Sequence, residues 1–229
     1  MSATAPDART HVVIAVDGTS GAGKSSTSRA VAARLGLRYL DTGAQFRAMT
    51  WWLLRQGVDV RDPAAVAERC EEPEILSGTD PLGPSILVDG VDVGIAIRSD
   101  EVNAAVSPVS VVPEVRARLL EIQRAMIGDG GIVVEGRDIG SVVWPQAEVK
   151  VYLTAEPGAR AARRAAETGS IDLPGTQESL LARDRIDSGR ATAPLMMADG
   201  AVHIDTTPYS LDEVVAQVVS LAEASEEGE

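Results

Sequence analysis

Short runs of β-branched and apolar residues alternate along the chain with longer segments whose apolar positions recur at three and four residues. That alternation is the pattern of a parallel sheet covered by helices. Residues 11–16 (HVVIAV) are apolar almost throughout, as a strand buried on both faces requires. Residues 38–40, 131–134, 149–153 and 201–204 are the other strand candidates. The expected fold class is therefore α/β, with a five-stranded parallel, doubly wound sheet. Leu211, Val214, Val215, Val218, Val219 and Ala222 lay one apolar stripe along a helix, and Ser210 with Glu213 forms a capping box in front of it. Pro113 suits a first helical turn, with Val115, Leu119, Ile122 and Met126 facing inward behind it.

Two stretches break the pattern. Between 58 and 112, Asp62-Pro63 opens a short helix, and residues 86–93 alternate around Asp89-Gly90, the signal of a tight antiparallel hairpin. We read 58–112 as an insertion in a single domain over 11–222, whose core is 11–57, 113–155 and 191–222. The irregular stretch 167–175 reads as the tip of a lid over 156–190. Residues 1–10 and the acidic 223–229 are expected to be disordered tails.

At 229 residues the chain suits one domain with embellishments. Its net charge of −13 repels polyanions, so no nucleic-acid partner is expected and phosphate affinity must come from locally placed cations. Of 21 Lys and Arg, only Lys24 and Lys150 are lysine. Cys70, the sole cysteine, excludes an intrachain disulfide and fits a reducing compartment. No run approaches the ~18 uninterrupted apolar residues of a membrane span, and residues 1–10 lack the features of a secretion signal. A cytoplasmic, monomeric protein without membrane contact is expected.

The chemistry begins at Gly18-Thr19-Ser20-Gly21-Ala22-Gly23-Lys24-Ser25, which fits a glycine, four residues and Gly-Lys-Ser, directly after a strand and before a helix. Its glycines let successive N–H groups approach phosphate at a helix start, and Ser26 extends that first turn. Lys24 would reach the β and γ oxygens of ATP, and the Ser25 hydroxyl would ligate Mg²⁺. The motif alone means only a nucleoside triphosphate. A guanine-reading Asn-Lys-x-Asp element is absent, because the sole asparagine, Asn103, precedes Ala104. The chain is also short for a mechanical ATPase, which leaves a small transferase.

Such an enzyme must bring two sets of phosphates together, and arginine forks offset their repulsion without losing charge. Arg47, Arg137, Arg160, Arg163, Arg164, Arg183, Arg185 and Arg190 lie near strand ends or in the lid region. Arg160 and Arg163 are placed on the ATP side.

Ordered motifs then carry a resemblance. They are the phosphate loop; Asp41-Thr42-Gly43-Ala44 with Arg47; residues 103–107 ending at Ser107; Pro113 with Val115-Arg116; residues 135–140 (EGRDIG); and residues 183–190 (RDRIDSGR) running on to 193–195. From Val12 to Leu221 the sequence resembles the bacterial cytidylate kinases, among the nucleoside monophosphate kinases. The resemblance implies that Thr42 and Arg47 contact the acceptor nucleotide, Arg47 through its phosphate. It implies that Ser107, Arg116 and Asp138 read cytosine and that Arg137 sits near the acceptor phosphate. Arg183, Asp187 and Arg190 would close over the acceptor and the transferred group, with Asp187 toward the ribose. The reactive cations would be Lys24, Arg137, Arg183 and Arg190, serving CMP or dCMP.

The chemistry of the base agrees. Cytosine presents an amino donor beside ring acceptors, so a carboxylate and a guanidinium match it, whereas uracil reverses the pattern. Two features depart from the family's usual pattern: Phe46 stands where tyrosine is common, and Trp144 where phenylalanine is common. His11, His203, Trp51 and Trp52 read as strand or packing residues. Two other readings stay open, a nucleotide-binding module without transfer and a kinase for another small acceptor such as UMP.

Overall fold

The computed structural model describes residues 11–189 and 194–226. In chain order β1 (Val13–Gly18), α1 (Lys24–Leu35), β2 (Arg38–Asp41) and α2 (Thr42–Arg55) lead into α3 (Pro63–Arg69), β3 (Ile75–Ser77), β4 (Ile86–Val88), β5 (Val91–Asp92) and α4 (Asp100–Ser110). The chain continues through α5 (Pro113–Ile127), β6 (Ile132–Glu135), β7 (Val149–Thr154), α6 (Pro157–Thr168), α7 (Leu173–Ser188), β8 (Val202–Asp205) and α8 (Leu211–Glu226).

The main sheet runs β2-β6-β1-β7-β8, with every pairing parallel. β1 lies at its centre and is buried at every position. Its alternate residues feed opposite faces: Ile14 and Val16 pack with α1 and α8 through Val31, Leu35, Val214 and Val218, while Val13 and Ala15 pack with Leu40, Ile127, Val134 and Ile139. Chain order reverses around β1, because β6 and β7 leave it on opposite sides. The carboxyl ends of β1 and β6 therefore mark the point at which open α/β sheets bind ligands, in the crevice outside the strand ends. Gly18 ends β1 with φ 142, and a Cβ there would lie 1.9 Å from the Leu153 carbonyl oxygen, so only glycine lets β7 pass this close.

All five expected strands of the main sheet are present. Residues 58–112 share one core with α2 and α5, in which Met49, Leu53, Val66, Ile75, Val88, Val109 and Leu119 take part. Asp89 and Gly90 both take positive φ, 50 and 77, which is the two-residue hairpin turn expected from their identities. β3 was not anticipated; it pairs antiparallel with β4, Ile75 opposite Val88. Three residues are too few to display an alternation. α6 and α7 form a helical hairpin, and the irregular stretch between them is shorter than 167–175. Asp172 caps α7 by accepting from the Gly175 N–H at 2.9 Å, which draws Leu173 and Pro174 into the first turn. α8 continues to Glu226 rather than ending at 222, since residues 223–226 are mostly good helix formers with no glycine or proline among them. The expectations for 1–10 and 227–229 fall outside the described residues.

Candidate active site

The phosphate loop links β1 to α1, whose N-cap is Gly23 at φ 88 with no side-chain cap. The N–H groups of the first turn are thus left to an anion, which the helix dipole favours. Lys24 folds back over the loop, its Nζ donating to the Thr19 carbonyl at 2.8 Å. Burial holds its ammonium well below the ordinary lysine range, Arg137 adds to this, and Glu135 opposes it. Ser25 and Ser26 are exposed at the mouth of the loop, and Ala22 is buried beneath it. At the end of β6 the buried Glu135 accepts hydrogen bonds from the Tyr39 and Ser25 hydroxyls. Burial and nearby Asp41 push its carboxyl up from the usual range, against the pull of Lys24. A hydroxyl and a carboxylate at this spot form an oxygen donor set suited to a hard cation such as Mg²⁺.

Arg160 and Arg163 border the loop. Arg160 donates to the Ser20 carbonyl at 3.0 Å and pairs with Asp184, which itself accepts from the Ser20 N–H at 3.1 Å. Arg163 donates to the Thr206 side chain and carbonyl, both at 2.8 Å, and the Thr206 hydroxyl donates to the Ala22 carbonyl at 3.1 Å. A Cβ on Gly23 would lie 3.9 Å from the Arg163 guanidinium, so that cation flanks the cradle. Gly21 packs against Arg160 in the same way, with 3.1 Å to its Cβ.

On the other side of the crevice, Thr42 opens α2 and donates to the Glu135 carbonyl at 2.7 Å. Arg47, five residues further along α2, is held by the Ile97 carbonyl at 3.2 Å and the Asn103 side chain at 2.6 Å. Arg116, on α5, pairs with Asp138 in a buried salt bridge, donates to the Ser110 carbonyl at 3.2 Å, and lies 5.4 Å over the Phe46 ring. Ser107 sits on α4 one turn before, its carbonyl accepting from the Ser110 hydroxyl at 2.9 Å. Arg137, next to Asp138 in the loop after β6, donates to Asp187 of α7 at 2.8 Å.

Arg183 of α7 completes the ring. Among the described residues its Nε has no hydrogen-bond partner, and burial with the neighbouring Arg137, Arg47 and Arg164 pushes its guanidinium down to about 9. Arg47 is pushed down to about 10, by burial first and then by Arg164. Cations from α1, α2, α6, α7 and the loop after β6 are thus gathered within reach of one another. Mutual repulsion on this scale is relieved when anions enter. Arg190 lies outside the described residues.

A family model described as cytidylate kinase matches residues 14–224. The chain belongs to the cytidylate kinase family. It is 56% identical over 225 residues to a cytidylate kinase of Streptomyces griseus, covering 97% of each chain. It is 45% identical over 217 residues to a cytidylate kinase of Mycobacterium leprae, covering 93% of this chain and 96% of that one. A crystal structure of an uncharacterized protein from Eubacterium ventriosum, 8% identical with a TM-score of 0.53 over 93% of this chain and 99% of that chain, shares the fold alone.

Within this cytidylate kinase fold, the Phe46 departure lies at the site, since its ring faces Arg116, while Trp144 packs with the cluster around Ile139. Sequence alone assigns no role to Asp17, Tyr39, Glu135 or Asp184, and all four lie at the site. For Asp17 and Glu135 there was a signal, a carboxylate at or next to the end of an otherwise apolar strand. Such a side chain must be buried, and a buried carboxylate needs partners.

Proposed function

We propose that this chain transfers the γ-phosphoryl group of ATP to CMP or dCMP, giving ADP and CDP or dCDP. The observation that carries this reading is the buried Arg116–Asp138 pair, one residue along the chain from Arg137, which in turn acts on the charge of Lys24. One crevice thereby offers a carboxylate and a guanidinium to a base, and a group of cations to phosphates.

On this reading the phosphate loop and Lys24 hold the triphosphate, flanked by Arg160 and Arg163. Arg47 receives the acceptor phosphate, and Ser107, Arg116 and Asp138 take the polar edge of cytosine. Thr42 lies beside the acceptor, and Asp187 lies toward the ribose. Asp138 accepts from the amino group and Arg116 donates to the ring acceptors. Uracil would turn a carbonyl oxygen toward the carboxylate, a mismatch of ~1–3 kcal/mol. The attacking atom is an oxygen of the CMP phosphate, largely ionised at neutral pH, so no general base is required. Lys24, Arg137, Arg183 and Arg190 oppose the charge that spreads over the transferred group during in-line displacement. Mg²⁺ carried with ATP would be held by the Ser25 hydroxyl with Glu135 behind it, and when bound it supplies further positive charge to the phosphate oxygens. The α6–α7 hairpin excludes water from the reaction.

Among the described residues no helix is long and apolar enough to cross a membrane. We place the enzyme in the cytoplasm as a monomer that binds no nucleic acid. ADP release by purified protein with ATP and CMP, dCMP, UMP, dTMP, AMP or shikimate is the direct test. Rapid release is expected only with CMP or dCMP. ATP binding without CMP-dependent ADP release would mark a binding module, and a preference for UMP another kinase.

A further inference from the structure

We propose that Asp17 is a positioning residue for acceptor choice, fixing the Arg137–Asp138 dipeptide from the strand that delivers the phosphate loop. This rests on the acceptor reading given above and extends it to a residue that touches neither nucleotide.

Asp17 is buried, one residue before Gly18 and the cradle. Its Oδ1 accepts from the Ile139 N–H and its Oδ2 from the Gly140 N–H, both at 2.8 Å. On the near side of the same loop, the Val16 carbonyl accepts from the Gly136 N–H at 3.0 Å. The two residues between these anchors are Arg137 and Asp138, and their side chains leave for different elements, Asp187 on α7 and Arg116 on α5. The loop has no slack at either anchor. A Cβ on Gly136 would lie 2.6 Å from the Ile139 side chain, and one on Gly140 would lie 3.2 Å from Ala198.

Residues 139–143 form a turn with hydrogen bonds five residues apart, Asp138 carbonyl to Val143 N–H and Ile139 carbonyl to Trp144 N–H. The opening N–H groups of such a turn have no partner within it. Asp17 supplies partners to two of them through charge-assisted bonds, which set direction as well as energy. The backbone of Asp138, at φ −148 and ψ 26, belongs to neither helix nor strand.

Burial pushes the Asp17 carboxyl up to about 6, against the pull of the Gly140 and Ile139 amides. A carboxyl raised in the folded state contributes most to stability below its unfolded value and loses that contribution as pH rises through the folded one. At neutral pH its charge thus weakens the fold while it aims the loop.

Asp17→Asn keeps one acceptor oxygen but sets an amide NH₂ against the second N–H, so one anchor must release. A carboxylate that only holds the fold would lower the active fraction for every acceptor alike, whereas a misaimed Asp138 changes the choice between acceptors. The readout is kcat/KM for CMP divided by kcat/KM for UMP in one preparation, where the active fraction cancels, together with the KM for ATP. In Asp17→Asn, and in Asp17→Glu as the second variant, the ratio is expected to fall at least about tenfold while KM for ATP changes less than about threefold. An unchanged ratio, or loss of folded protein in both variants, would overturn the proposal and assign Asp17 to stability alone. Unaltered protein that phosphorylates neither CMP nor dCMP would instead defeat the acceptor reading, whatever the variants do.

Discussion

Lys24→Ala is expected to lower kcat at least about a hundredfold while leaving the fold intact. The expectation follows from where the ammonium sits. It is buried under its own loop, 2.8 Å from the Thr19 carbonyl, with Arg137 and Arg183 both acting on its charge. Its environment holds it below the ordinary lysine range, so the protein alone disfavours its charge and a triphosphate would favour it. Such a group acts on the charge that develops during transfer more than on ground-state binding, so KM for ATP should rise far less than kcat falls. Removing Lys24 takes away one of the forces that keep the Glu135 carboxyl ionised, which would raise it further. Single-turnover ADP formation separates chemistry from release, and near-normal turnover in this variant would refute the assigned role.

Asp138→Asn is expected to lower kcat/KM for CMP by about a hundredfold and to shrink the preference over UMP at least tenfold, because an amide can satisfy either base. The same change leaves Arg116 buried without its carboxylate. Breaking one half of a buried pair costs about 3–5 kcal/mol, so the melting temperature should fall as well. Kinetics and thermal unfolding on the same preparation keep the two effects apart. A variant that melts earlier but keeps the full CMP preference would show that the pair serves only the fold.

The fold was legible where local chemistry decides it. The glycines and lysine of residues 18–25, the turn residues Asp89 and Gly90, and the apolar runs of all five main strands each state their conformation within a few residues. β3 escaped because three residues carry too little pattern, and α8 ran on because propensity rather than a stop signal governs residues 223–226. At the site, the residue types pointed to phosphate and the family resemblance to cytosine, but the partners of those residues did not follow from either. That Arg160 would pair with Asp184 and reach Ser20, or that Arg137 would meet Asp187, depends on how the α6–α7 hairpin folds over the sheet, a long-range closure invisible in a linear pattern. The role of Asp17 was hidden for the same reason, since its two partners lie more than a hundred residues away.

On the proposed function one crevice holds a triphosphate and a cytosine nucleotide end to end. The most direct measurement is calorimetric binding of adenosine and cytidine joined through a chain of phosphates, with the uridine counterpart as control. Tethering both ends should give affinity at least about a hundredfold above ATP or CMP alone, displaced by either nucleotide and weakened when uridine replaces cytidine. Affinity no better than that of ATP, with displacement by ATP but not by CMP, would contradict it.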